Sequence, residues 1–405
     1  MKFFWNNNNF FIRLHTKKQK IVYNIRQEVK TMQINCDGKV YNPLGGGSYV
    51  FEKDIVNFLL EKFSKDNIVI SIGAQPNSSP HFGTLIVFST AFSLAKKMKE
   101  VNPKLNVKVL FEVVDTAPSE TVEINGIKYQ KSLKSTGKIN NNFNDYMEIL
   151  EYFKAIDNID YLIRFQSEFN KQKFIYPIVK KIIEKKDEVS KILDPKYKNL
   201  RIRVACPYCG LADKNSMTTR FVGEKIYSYC PEHGEYITDI KKESSKLEYN
   251  TPVRNLVRAI AYGMHNHDES QNYQILRITG SDYAGFYQEE LLYKPAALLG
   301  YPVNELPSIL YTPLVLDWSG AKLSKSLYVK EGAYSDLPSY LINYGYLKQA
   351  KGIESLDVIH NITNNWIENP YLLFRNYSIY YFKKEFEEYE KSNLHQYKAK
   401  VYKKD

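Results

Sequence analysis

Two rhythms of apolar and polar positions organise this chain. Between Val50 and Phe63, the apolar residues Val50, Ile55, Val56, Leu59, Leu60 and Phe63 recur at the spacing of one helix face. After Asn67 the rhythm changes. The run from Ile68 to Ile72 is short, β-branched and nearly uninterrupted, as in a buried parallel strand. A loop with two prolines, residues 73–80, separates it from a helical pattern over 83–98, and 107–114 reads as a second strand. Strand, phosphate-sized loop, helix and strand form a βαβ unit. The pattern therefore predicts an α/β fold with a Rossmann-like parallel sheet.

The middle of the chain breaks this pattern with a Lys- and Glu-rich stretch holding three clustered cysteines. Strand character returns at 274–278, just before Gly280 and Asp282, and at 309–316, just before Asp317, Gly320 and Lys322. The expected organisation is a basic, disordered extension over 1–31 and a first half of the core over 32–145. An insertion follows over 146–250, with a zinc ribbon at about 203–236, then the second half of the core over 251–330 and a short helical region over 331–405. The most apolar-looking stretch, 83–95, is too short to cross a bilayer, so no membrane span is expected.

Composition narrows the function. The chain carries 56 Lys and Arg against 45 Asp and Glu, a net charge of +11, which suits a polyanionic partner such as nucleic acid or a phosphorylated substrate. With 43 % hydrophobic residues, it has enough apolar surface to exclude global disorder. Four cysteines are too few for a disulfide-stapled secreted domain. Cys36 stands alone and reads as an incidental thiol. A cytoplasmic location is expected, with the mitochondrion as the alternative, because Met1 to Gln27 is basic and acid-free.

Three constellations carry chemistry. His81, Gly83 and Thr84 stand at the predicted strand-to-helix junction, where a helix N-terminus attracts phosphate and an imidazole can donate to it. Lys322, Ser324, Lys325 and Ser326 follow Asp317 and Gly320, so two lysines bracketing small hydroxyls can close over a polyphosphate. Cys206 and Cys209 form a Cys-x₂-Cys turn ending in Gly210, and Cys230 and His233 form a Cys-x₂-His turn. Such an S₃N set fits tetrahedral zinc in a structural role. Asp115, at the end of the second strand, is a weaker candidate for binding a substrate amino group, with helix capping as its alternative. His265 and His267 read as surface-loop residues. Residues 45–48 lack the Lys-Ser/Thr ending of a P-loop and read as a connector.

The first two constellations, in this order and far apart, resemble the His-Ile-Gly-His-like and Lys-Met-Ser-Lys-Ser-like motifs of class I aminoacyl-tRNA synthetases. Thr84 stands where that family has its second His. The zinc-bearing insertion, the segment from Lys246 to Arg254 and the Gly280–Asp282 strand end look most like the class I type of lysyl-tRNA synthetase. The resemblance implies ATP as substrate, with Mg²⁺ on its polyphosphate, an amino acid as co-substrate and the acceptor end of tRNA as partner. It implies that His81 and Thr84 contact the phosphates of ATP during adenylate formation, and that Lys322 and Lys325 offset the charge of the departing pyrophosphate. Gly73, Gly83, Gly280, Asp282, Ser324 and Ser326 would line the nucleotide. Residues 327–405 are fewer than a full anticodon-binding domain needs. Two alternatives therefore stand beside the synthetase: an adenylate-forming ligase with a non-tRNA acceptor, and a non-catalytic RNA-binding paralogue.

Overall fold

The computed structural model describes residues 2–6, 9–13, 22–25, 55–323 and 337–401. It separates into two units, Met1–Asp37 and Gly38–Asp405. In the first, Lys2–Asn6, Asn9–Arg13 and Val22–Ile25 pair as an antiparallel three-stranded sheet, so strands occupy the extension expected to be disordered. Cys36 and residues 45–48 lie outside the described residues.

The second unit runs through β1 (Asn67–Ala74), α1 (Phe82–Val101), β2 (Asn106–Val113), α2 (Asn140–Asp157), β3 (Tyr161–Phe165), α3 (Ile175–Glu184), α4 (Thr251–His267), β4 (Gln274–Gly280), β5 (Ile309–Thr312), α5 (Tyr344–Lys351), α6 (Leu356–Glu368) and α7 (Ile379–Val401). The five strands are all parallel, in the order β5-β4-β1-β2-β3. This is a doubly wound Rossmann-like sheet, and the winding reverses between β1 and β4. In such sheets ligands bind beyond the carboxyl ends of the strands at that reversal.

Strand register explains the layering. Ile72 pairs with Phe111 while Gly73 pairs with Glu112, which in turn pairs with Arg164. One face is apolar: Phe111 meets Phe88 of α1 with ring centroids 5.1 Å apart and Tyr146 of α2 at 5.5 Å. On its other side α1 packs against α6, so it is buried nearly all round. Its small hydroxyls are satisfied there, Ser89 by Thr363 at 2.6 Å and Thr90 by the Ile86 carbonyl at 2.7 Å. The opposite face of the sheet is covered by α4, whose Tyr262 hydroxyl reaches Ser71 at 2.7 Å and Glu112 at 2.6 Å.

Several expectations need adjustment. Most of α2 and all of β3 fall inside 146–250, so part of the presumed insertion belongs to the core. The antiparallel hairpin of Pro118–Ile124 and Ile127–Ser132 pairs instead with Leu211–Asp213 beside the cysteine cluster. His265 is not in a surface loop: it lies buried in α4, against Tyr273 with ring centroids 4.4 Å apart. Among the described residues, no helix is long and apolar enough to cross a membrane.

Candidate active site at the carboxyl edge of the sheet

The loop leaving β1 is clamped by the C-terminal region. The Tyr344 amide donates to the Pro80 carbonyl at 2.8 Å, and the Gly345 amide donates to Ser79 Oγ at 3.0 Å. His81 forms a backbone bridge with Asn343 and caps α1 in extended conformation. Its imidazole folds over the first turn: a Cβ on Gly83 would lie 3.2 Å from His81 Cε1. Gly83 thus leaves room for the ring and for close approach of a ligand. The helix terminus is less open than the sequence implied, because the Phe82 amide is taken by the Ile342 carbonyl and the Thr84 amide by His81 O at 2.8 Å. The dipole of the long α1 remains directed at this point.

On the other side of the reversal, β4 ends at Gly280. A Cβ there would meet Asp282 Oδ1 at 2.6 Å, so glycine is what permits the Asp282 carboxylate to fold back over the strand end. The lysine segment approaches as a hairpin. Leu323 donates to Val315 O, Leu316 bridges Lys322, and Asp317 Oδ1 accepts from Ser319 N and Ala321 N to close the turn at Gly320, whose φ is +82°. Lys322 Nζ ends 2.5 Å from Asp282 Oδ2. Two residues chosen from segments about 40 positions apart therefore meet as an ion pair. Ser324, Lys325 and Ser326 lie outside the described residues. The C-terminal region ties this side as well: Asn376 Oδ1 accepts from the Leu314 amide at 3.0 Å.

Asp115 is buried. Ser167 donates to it through Oγ at 2.7 Å and through its amide at 3.3 Å, which caps the short helical turn after β3. Burial raises its pKa against the stabilising bonds from Ser167.

The face of the sheet under α4 carries residues that sequence reading missed. Arg254, Arg258 and Tyr262 recur every four residues on α4, and Arg277 pairs in register with Ser71. Glu112 is fully buried and accepts from Arg164 Nε at 3.0 Å. Burial pushes its pKa up, but the charges of Arg164 and Arg258 hold it below the ordinary value. Arg254 is pushed down to about 10 by burial and by the charge of Arg258, and Arg277 is lowered by burial and the same neighbour. The signal was present: Glu112 and Arg277 each interrupt an apolar strand pattern.

The cysteine cluster assembles as expected. The ligand atoms of Cys206, Cys209, Cys230 and His233 lie within 4.8 Å of one another. Cys209 Sγ is 3.5 Å from Cys230 Sγ, and His233 Nδ1 is 3.6 Å from Cys230 Sγ and 3.8 Å from Cys206 Sγ. A tetrahedron with bonds of about 2.3 Å has edges of about 3.7 Å, so the donor set fits zinc. Gly210 and Gly234, with φ of +77° and +76°, turn the chain tightly after each ligand pair. Bound there, zinc would cross-link two turns, with four protein ligands and no open position.

No protein-family model matches the chain, and no curated protein matches it. Among solved structures it is similar to a glutamate tRNA ligase from Elizabethkingia meningosepticum in complex with its amino acid. The TM-score is 0.39 at 12 % identity, covering 84 % of this chain and 73 % of that one. It is also similar to the methionyl-tRNA synthetase of Mycobacterium tuberculosis in complex with methionyl-adenylate, with TM-score 0.37 and 13 % identity over 78 % of this chain and 66 % of that one.

Proposed function

We propose that this chain activates an amino acid with ATP as its adenylate and transfers it to the acceptor end of tRNA. The observation that carries this reading is convergence. His81 stands beyond β1 and the Lys322–Asp282 pair beyond β4, on the two sides of the reversal where a doubly wound sheet takes its ligand. In this reading His81 and Thr84 hydrogen-bond phosphate oxygens. Lys322, released from Asp282, and Lys325 offset the charge that develops on pyrophosphate. The substrate carboxylate is already ionised at neutral pH, so the attack on the α-phosphorus needs no general base from the protein. Catalysis is then positioning and charge stabilisation, with Mg²⁺ bound to the polyphosphate. The net charge of +11 supports a tRNA backbone as partner, through phosphate contacts that position without specifying sequence.

Lysine as the amino acid rests only on the order of the insertion, the segment from Lys246 to Arg254, and the Gly280–Asp282 strand end. The experiment is ATP–pyrophosphate exchange with each of the twenty amino acids, with and without total tRNA. Exchange with one amino acid, slowed about 100-fold or more by His81→Ala or Lys322→Ala in folded protein, is the expected result. Equal exchange in both variants would remove these residues from the reaction. Adenylate formed without transfer to tRNA would favour a ligase with another acceptor.

A further inference from the structure

The layer between α4 and the sheet contains more positive charge than the protein itself balances. Arg254, Arg258 and Arg277 are only 4–8 % exposed, and Arg164 joins them from β3. Among the described residues, Glu112 is the one carboxylate that pairs with any of these four, through Arg164 and, at 4.0 Å, Arg258. The remaining partners are neutral. Arg277 Nη2 donates to Asn255 Oδ1 at 3.0 Å, Arg254 Nη2 to Thr251 Oγ1 at 3.2 Å and Arg258 Nη2 to Gln166 Oε1 at 2.6 Å. Neutral acceptors solvate a guanidinium without cancelling its charge. Arg258 Nε is buried without a partner.

The layer reaches the surface at the carboxyl end of β1. Gly73, at the carboxyl end of β1, is exposed, and Arg258 Nη1 lies 3.2 Å from where its Cβ would stand. A side chain there would close the gap between the arginines and the reversal point. An anion bound beside the nucleotide would therefore meet Arg258 at this strand end, with Arg254 one turn nearer the start of α4.

We infer that the amino acid taken by this site carries an anionic side chain, a carboxylate as in aspartate, glutamate or a related acid. The inference rests on the adenylate-forming reading above. In that reaction the α-carboxylate attacks phosphorus and cannot also enter the layer, so a substrate with one carboxylate leaves the arginines unbalanced. A side-chain carboxylate supplies the missing charge and matches the fork of a guanidinium. A lysine ammonium would add a further cation to the surplus.

The test uses the full chain in two assays. In ATP–pyrophosphate exchange, aspartate or glutamate is expected to support turnover, and Arg277→Met is expected to raise KM for that acid about 30-fold or more, with a smaller change in kcat. Arg277→Lys, which keeps the charge but not the fork, should fall between. Exchange supported by lysine or a neutral amino acid instead would overturn this inference and leave the adenylate reading standing. If no amino acid supports exchange, the adenylate reading falls, and calorimetry with aspartate, glutamate and lysine decides the inference alone. Binding of an acid that Arg277→Met weakens about 30-fold preserves the anion site. No binding of either acid overturns it. Should Arg277→Met fail to fold, Arg277→Lys carries both assays.

Discussion

The strands of one sheet present opposite chemistry to their two covering layers. Toward α1 and α2, Ile72, Val109 and Phe111 are almost wholly buried among rings and aliphatic chains. Toward α4, the next residues along the same strands are Ser71, Gly73 and Glu112, in register with Arg277 and Arg164. The first face is complete in itself, because dispersion and the exclusion of water need nothing from outside the chain. The second is organised by charge, and the chain's own groups leave it positive. The period of two residues along a strand lets one sheet serve both purposes: a stable wall on one side and a recognition surface on the other.

The largest effect should come from the apolar face. Phe111→Ala removes a ring that Phe88 and Tyr146 both contact, and should cost about 4 kcal/mol in urea unfolding. A cost no greater than that of Ser71→Ala, on the other face, would break the comparison. Glu112→Gln comes next, at about 3 kcal/mol, since it strands Arg164 and Arg258 without their carboxylate. Adding Arg164→Met to that variant should recover part of the loss, because it removes one uncompensated cation. A double variant no more stable than Glu112→Gln would show that charge is not what limits this face.

The two faces were unequally legible in the sequence, and so were the sites. The ribbon ligands Cys206, Cys209, Cys230 and His233 declare themselves because tight turns put metal donors at fixed short spacings, and the fold only has to bring two turns together. His81 and Lys322 were legible as local motifs, and the βαβ rhythm around β1 and β2 put His81 at the start of the helix that follows β1. The arginine layer is different in kind. It is assembled from α4 and from four strands, β1 to β4, and although Glu112 and Arg277 each interrupt an apolar run, neither interruption names its partners. Only the register of Gly73 with Glu112, and of Glu112 with Arg164, shows that they share a face. The strand β3 was itself hidden, because five residues of mixed polarity sit within a charged stretch and Leu162 is exposed at the sheet edge.

The smallest predicted effect probes how far the charge of that layer reaches. His265 lies on the same stripe of α4 as Arg254, Arg258 and Tyr262, eleven residues beyond the first of them, and is buried. Its pKa is pushed down to about 4, chiefly by burial; a backbone hydrogen bond at Tyr273 and the charge of Asp268 oppose the shift, while Arg164 and Lys65 add to it. The folded protein therefore keeps this imidazole neutral at pH values where the unfolded chain protonates it. The contribution to stability is full above pH 6.5, the ordinary value, and is lost as pH falls from there toward about 4. Over that window the loss should be about 2 kcal/mol. Equilibrium unfolding of the wild-type chain and of His265→Phe at several pH values between 7 and 4.5 measures it, because phenylalanine keeps the ring against Tyr273 and removes the proton site. The variant should lose less stability on acidification than the wild type. In the Arg164→Met background, the decline attributable to His265 should still begin near pH 6.5 but be smaller and end at a higher pH, since a nearby cation no longer opposes protonation of the folded state. Parallel pH profiles for wild type and His265→Phe would mean that this end of α4 is held by packing alone, confining the electrostatic face to the neighbourhood of Gly73.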